Sequence, residues 1–136
     1  MSVEKERQES ERWLQQARAD LRAAEGSLQL GSFEWACFQS QQAGEKALKA
    51  FWYYHGEDPW GHSVAKLIDD FPIDPIRSDL ARYTDLAKAL DKLYIPTRYP
   101  NGLPDLTPSE AYTETEARSA IDAARTITHY IAAQMN

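Results

Sequence analysis

The run Phe33-Glu34-Trp35-Ala36-Cys37-Phe38-Gln39-Ser40-Gln41-Gln42-Ala43-Gly44-Glu45-Lys46-Ala47-Leu48-Lys49-Ala50-Phe51-Trp52-Tyr53-Tyr54 decides the fold. Phe33, Ala36, Cys37, Ala43, Gly44, Ala47, Leu48, Ala50, Phe51 and Tyr54 gather on one side of a helix that Gly56 stops near His55. Many of these residues are small. Ser40 and Gly44 sit at the middle of that face, where a glycine costs about 1 kcal/mol against alanine. That cost predicts a packing reason, the close approach of another helix backbone at Gly44. On the other side Trp35, Phe38, Trp52 and Tyr53 alternate with Gln41, Gln42, Glu45, Lys46 and Lys49. A helix that is partly apolar all round is central in its fold or covered by a partner.

Upstream, Trp13, Leu14, Ala17, Leu21, Ala24 and Leu28 recur at three- and four-residue steps, which predicts an amphipathic helix over Glu9–Leu30. Gly31-Ser32 then supplies a C-terminal glycine and an N-cap serine, the mark of a tight helical hairpin. Downstream of the loop Gly56-Glu57-Asp58-Pro59-Trp60-Gly61, Val64, Leu67, Ile68 and Phe71 predict a short third helix with Ser63 as its cap. Asp74-Pro75 opens a fourth, whose stripe is Ile76, Leu80, Tyr83, Leu86, Ala87, Leu90 and Leu93. Pro96, Pro100, Asn101-Gly102 and Pro104 make Tyr94–Leu106 a loop. Thr107-Pro108-Ser109-Glu110 is a capping box opening a final helix, with Ala117, Ala120, Ile121, Ala124, Ile127 and Ile131 inside. No segment alternates like a strand. The expected fold class is all-α, an antiparallel up-and-down bundle of about five helices in one domain over residues 1–136.

Composition narrows the function. The chain has 136 residues, 15 Lys+Arg against 21 Asp+Glu, a net charge of -6 and one cysteine. A lone Cys37 forms no internal disulfide and no thiolate metal site. The charged start Met1-Ser2-Val3-Glu4-Lys5-Glu6-Arg7 is unlike a signal peptide, and no apolar run is long enough to span a membrane, so the expectation is a soluble, cytoplasmic protein. The acidic balance argues against wrapping duplex nucleic acid by bulk charge and leaves room for a local basic patch.

Familiar chemistry is missing from the motifs. His55, His62 and His129 are scattered, so no metal and no cofactor is expected. Cys37 stands between Ala36 and Phe38 and reads as core rather than nucleophile. Asp58, Asp69, Asp70 and Asp74 lack calcium-loop spacing, and Glu45 with Lys49 reads as a surface i, i+4 pair. Two constellations remain. Gln42, Lys46, Lys49 and Tyr53 share one helical stripe beside aromatic residues, which suits phosphate and a stacked base; snorkelling lysines on a solvated stripe are the competing reading. Tyr94-Ile95-Pro96-Thr97-Arg98-Tyr99-Pro100 places an arginine between two tyrosines in a proline-stiffened loop.

These residues resemble the HEPN family, the small helical domains named for nucleotide binding in higher eukaryotes and prokaryotes. The resemblance rests on Trp13, Ala17, Asp20 and Leu21, on Gly31-Ser32-Phe33 and Phe38, and on Gln41-Gln42-Ala43-Gly44-Glu45-Lys46-Ala47-Leu48-Lys49-Ala50. It continues through His62-Ser63 with Leu67 and through Tyr94 with Thr97-Arg98-Tyr99-Pro100. It implies a bundle that commonly dimerises, often beside a minimal nucleotidyltransferase in toxin–antitoxin pairs, with some members cutting RNA without a metal. Those ribonucleases carry an Arg, four to six residues, and a His. Here Arg98 has no such histidine, and Arg125-Thr126-Ile127-Thr128-His129 has only three residues between.

The expectation is therefore a homodimer binding a nucleotide or RNA phosphate and acting with a nucleotidyltransferase partner. Its ligand residues would be Lys46, Lys49, Arg98, Tyr99, Tyr94, His62 and Gln42. The alternatives are a metal-independent ribonuclease toxin using Arg98 or Arg125 with a histidine contributed from elsewhere in space, His129 or His62, and a purely structural module docking a partner through Trp35, Trp52 and Trp60.

Overall fold

The computed structural model describes residues 2–136, and every element among them is helical. The elements are α1 (Val3–Gln29), α2 (Phe33–Tyr54), α3 (Val64–Asp69), α4 (Asp74–Leu80), α5 (Thr84–Asp91), α6 (Pro108–Ala111) and α7 (Glu114–Gln134). Short 3₁₀ turns lie at Ala81–Tyr83 and Pro100–Gly102. The all-helical bundle expected from the stripes is the fold observed.

The α1–α2 hairpin turns where the glycine predicts. Gly31 takes φ +78°, and the Ser32 amide reaches the Ser27 carbonyl at 2.9 Å, a Schellman closure that a side chain at Gly31 would strain. Gly56 ends α2 the same way, with φ +75° and the Glu57 amide on the Trp52 carbonyl. Helix α2 is the axis of the molecule: α1 lies along it, α7 packs on both, and α3 and α5 cover its remaining side. Ala17 and Leu21, Ala47 and Leu48, Leu67 and Ile68, and Ile127 and Ile131 meet in one core. Trp52 belongs to this core, its indole N–H donating to the Leu67 carbonyl at 3.0 Å, so it cannot join Trp35 and Trp60 on an exposed docking face.

Three boundaries, and one packing contact, differ from expectation. Helix α1 begins at Val3, capped by Ser2, because its first two turns are polar and leave no apolar periodicity to read. The single helix expected from Asp74 to Leu93 is broken by the turn at Ala81–Tyr83. A three-residue turn keeps Leu80, Tyr83 and Ala87 on the same side as an α-helix would, so the stripe conceals the break. The final helix is also two pieces. Thr107 and Glu110 form the expected capping box, but Tyr112 is extended, with ψ 139°, and a second box of Thr113 and Glu116 starts α7. At Gly44 the close neighbour is a side chain rather than a backbone: a Cβ there would stand 2.8 Å from Leu90 Cδ1.

Candidate functional site

The expected ligand residues lie along the outer stripe of α2 and its two flanks. On the α1 flank, Lys46 Nζ is 2.6 Å from Asp20 Oδ2, and Asp20 also accepts from the Gln16 amide at 2.8 Å. Lys49 Nζ stands 5.6 Å from the centre of the Trp13 ring, which in turn tilts against Tyr53.

On the other flank the chemistry centres on Glu45. The surface pair read from Glu45 and Lys49 is in fact buried: the Glu45 side chain is 6% exposed and Lys49 12%, with Nζ 3.0 Å from Oε2. A carboxylate so enclosed must be satisfied from several sides. Gln41 Nε2 donates to its other oxygen at 3.1 Å and to the His62 carbonyl, while Gln42 donates to Gln41. His62 Nδ1 lies 3.3 Å from Glu45 Oε2, which turns the rest of the imidazole outward; its side chain is 62% exposed.

His62 also stacks on Tyr94, ring centres 5.1 Å apart and 17° from parallel. The turn beyond Tyr94 is held by buried Thr97, whose hydroxyl donates to the Leu93 carbonyl at 2.7 Å. That turn folds Arg98 back, so that Nε and Nη2 donate to the Tyr94 carbonyl at 3.0 and 2.8 Å. Its guanidinium lies over Phe38, Tyr94 and Tyr99, at 4.3, 4.9 and 5.4 Å from the ring centres. Among the described residues no carboxylate pairs with Arg98, and Nη1 has no hydrogen-bond partner. Trp35 extends the aromatic surface edge-on to Phe38, and Trp35 and Tyr99 are both about half exposed.

The fold thus brings His62, Tyr94, Arg98 and Tyr99 together, with Gln42 and Lys49 joined to them through Gln41 and Glu45. Lys46 stands apart on the α1 flank. Arg125 is distant in role: it bridges α7 to α1 through Glu25 at 2.7 Å and pairs with Asp122, and no bond joins it to exposed His129. Sequence reading missed Glu45 as the hub and Phe38 as a ring under the guanidinium. The signal for Glu45 was its place with Gln41 and Leu48 on one side of α2. No group of three or more metal-ligating side chains is assembled among the described residues. No helix there is long and apolar enough to cross a membrane.

The described residues thus form an all-helical bundle that presents a cation among aromatic rings beside a carboxylate-bound histidine. The chain belongs to the HEPN family, whose model, described as HEPN domain, matches residues 10–134. It is similar to the crystal structure of TT1696 from Thermus thermophilus, with 43% identity, 90% of this chain and 95% of that one covered, and a TM-score of 0.83. It is also similar to ST0689, an archaeal HEPN homologue, with 35% identity, 93% and 98% coverage and a TM-score of 0.77. A HEPN domain protein (tm0613) from Thermotoga maritima has 29% identity, 91% and 97% coverage and a TM-score of 0.67. No protein with a curated description matches the chain.

Proposed function

We propose that the protein is a homodimeric module that binds the phosphate of a nucleotide or RNA and works with a minimal nucleotidyltransferase partner in the cytoplasm, in a system of toxin–antitoxin type. The observation that carries this reading is Arg98: a guanidinium without a carboxylate, fixed by its own turn, over three aromatic rings. Such a group offers phosphate a preorganised donor, and the half-exposed Tyr99 ring offers a base a stacking surface beside Tyr94, which His62 and Arg98 already cover. Lys49, held on buried Glu45, adds positive charge behind it, Lys46 on the α1 flank can meet a further phosphate of a longer ligand, and His62 with Gln42 supplies polar contacts. Titration calorimetry with ATP, GTP and short RNAs tests the reading. Binding by at least one, weakened tenfold or more by Arg98→Ala, is expected; no heat from any of them with a folded dimer overturns it.

One observation favours a second reading. The Glu45–His62 pair and Arg98 meet at Tyr94, so an arginine and an oriented histidine stand together although no sequence spacing links them. A histidine held at Nδ1 by a carboxylate is placed to move a proton at Nε2, as metal-independent RNA cleavage requires. RNA cleavage in chelator, lost in His62→Ala, is the expected result under this reading.

A further inference from the structure

Helices α1 and α7 border an open recess of about 220 Å³ lined by Arg18, Leu21, Arg22, Glu25, Thr128 and His129, on the side of α1 away from Asp20 and Lys46. Of the nine arginines in the chain, Arg12, Arg77, Arg82, Arg118 and Arg125 are in ion pairs, and Arg7 and Arg98 rest on aromatic rings. Arg18 and Arg22 have neither kind of partner among the described residues, although both are exposed and stand one helical turn apart, a spacing at which like charges destabilise a helix. Below them Thr128 is 1% exposed and its hydroxyl has no hydrogen-bond partner. A helical threonine has the carbonyl four residues back within reach, and Thr126 uses it, donating to Asp122 at 2.8 Å. The one carboxylate in the recess, Glu25, is taken by Arg125. A buried hydroxyl left without a partner is costly, and two guanidiniums without an ion-pair partner line the same recess, as an oxyanion needs.

We propose that this recess is a second anion site, in which Arg18, Arg22 and His129 hold a phosphate group and the Thr128 hydroxyl, closed to solvent in the free protein, turns to donate to it. Arg22 also borders a groove of about 500 Å³ on the other flank of α1, with Arg12, Trp13 and Lys46. The cations therefore run across α1 toward Lys46, so a ligand with several phosphates, a nucleoside triphosphate or an RNA backbone, can engage more than one of them. The site is separate from the Arg98 cluster and does not depend on ligand binding there.

Inorganic phosphate, ATP and a short single-stranded RNA, each titrated into the full chain and followed by amide NMR and calorimetry, provide the test. Signals of Arg18, Arg22, Thr128 and His129 should move with at least one ligand. Response to phosphate alone marks a free anion site, and response only to RNA marks the backbone as the source. The double variant Arg18→Gln with Arg22→Gln should weaken that binding tenfold or more. Thr128→Val should weaken it about threefold without lowering Tm, since the hydroxyl loses no protein partner. If no recess signal moves with any ligand, or the double variant binds all three within twofold of wild type, the site is refuted. Arg98→Ala separates the two readings: loss of all binding in Arg98→Ala with none in the double variant sinks this site alone, and the reverse pattern supports it and sinks the Arg98 reading.

Discussion

Asp91 Oδ1 accepts the Val64 amide at 2.6 Å, while Oδ2 takes the Ser63 hydroxyl at 2.5 Å and the Ala65 amide at 3.2 Å. A carboxylate on the last turn of α5 thus caps the first turn of α3, 27 residues away in sequence, and fixes the segment that carries His62 over Tyr94. Asp91→Ala leaves these donors without their acceptor and should cost about 2 kcal/mol, the upper range for loss of an N-cap, as read by urea unfolding. The same variant should weaken any ligand that depends on His62.

Tyr130 donates its hydroxyl to Asp79, which also pairs with Arg82. The tyrosine hydrogen bond, then Arg82, holds the Asp79 carboxyl below its ordinary 3.8, so folding favours its charged form and the resulting stability is lost as pH falls from about that value. Burial first, and the bond to Asp79 second, push Tyr130 from 10.0 up to about 12, so stability is also lost as pH rises from about 10 toward 12. Tyr130→Phe should flatten both limbs of the stability profile, measured as urea midpoints from pH 3 to pH 11. Limbs as steep as those of wild type contradict the assignment.

Cys37 is fully buried, and burial, with Glu116 and Glu34 adding to it, raises its thiol to about 12. The thiolate is the reactive form. The native protein should therefore resist a thiol-exchange reagent at pH 8, reacting only as fast as it opens, and react at once in urea. A rapid stoichiometric reaction of the folded chain contradicts this.

At Gly44 two effects oppose each other. Alanine gains about 1 kcal/mol of helix propensity but must displace Leu90 Cδ1, the end of a flexible but fully buried side chain. Gly44→Ala should leave stability within about 1 kcal/mol of wild type, and Gly44→Val, which adds bulk without the propensity gain, should cost about 3 kcal/mol. Trimming the neighbour with Leu90→Val should recover part of the Gly44→Val loss, a coupling that a double-mutant cycle reads directly.

The helices were legible because burial writes a 3.6-residue period into Leu14, Leu21, Leu48 and Ile127 and because Ser63, Thr107, Gly31 and Gly56 mark ends by local chemistry. The breaks were not, since Tyr83 continues the stripe across its turn and Tyr112 carries no breaker; the Thr113–Glu116 box was the one sign of the second. The candidate site was legible as residue types. Arg98 between tyrosines lies in the aromatic cluster described above, and the lysine stripe of α2 runs behind it, with Lys49 enclosed and Lys46 on the α1 flank. Their partners were not, because Asp20 meets Lys46 from 26 residues away and a local pair such as Glu45–Lys49 looks the same in sequence whether it is solvated or enclosed.

The four tryptophans divide the molecule optically. Trp52 is locked in the core, Trp13 sits in the groove beside Lys46, Trp35 edges the Arg98 surface, and Trp60 is 85% exposed on its loop. Emission from Trp52 reports unfolding, while quenching at Trp35 or Trp13 reports which flank of α2 a ligand occupies. Versions of the chain that keep Trp52 with either Trp13 or Trp35 would therefore distinguish loss of fold from occupancy of that surface by fluorescence titration, with no attached dye.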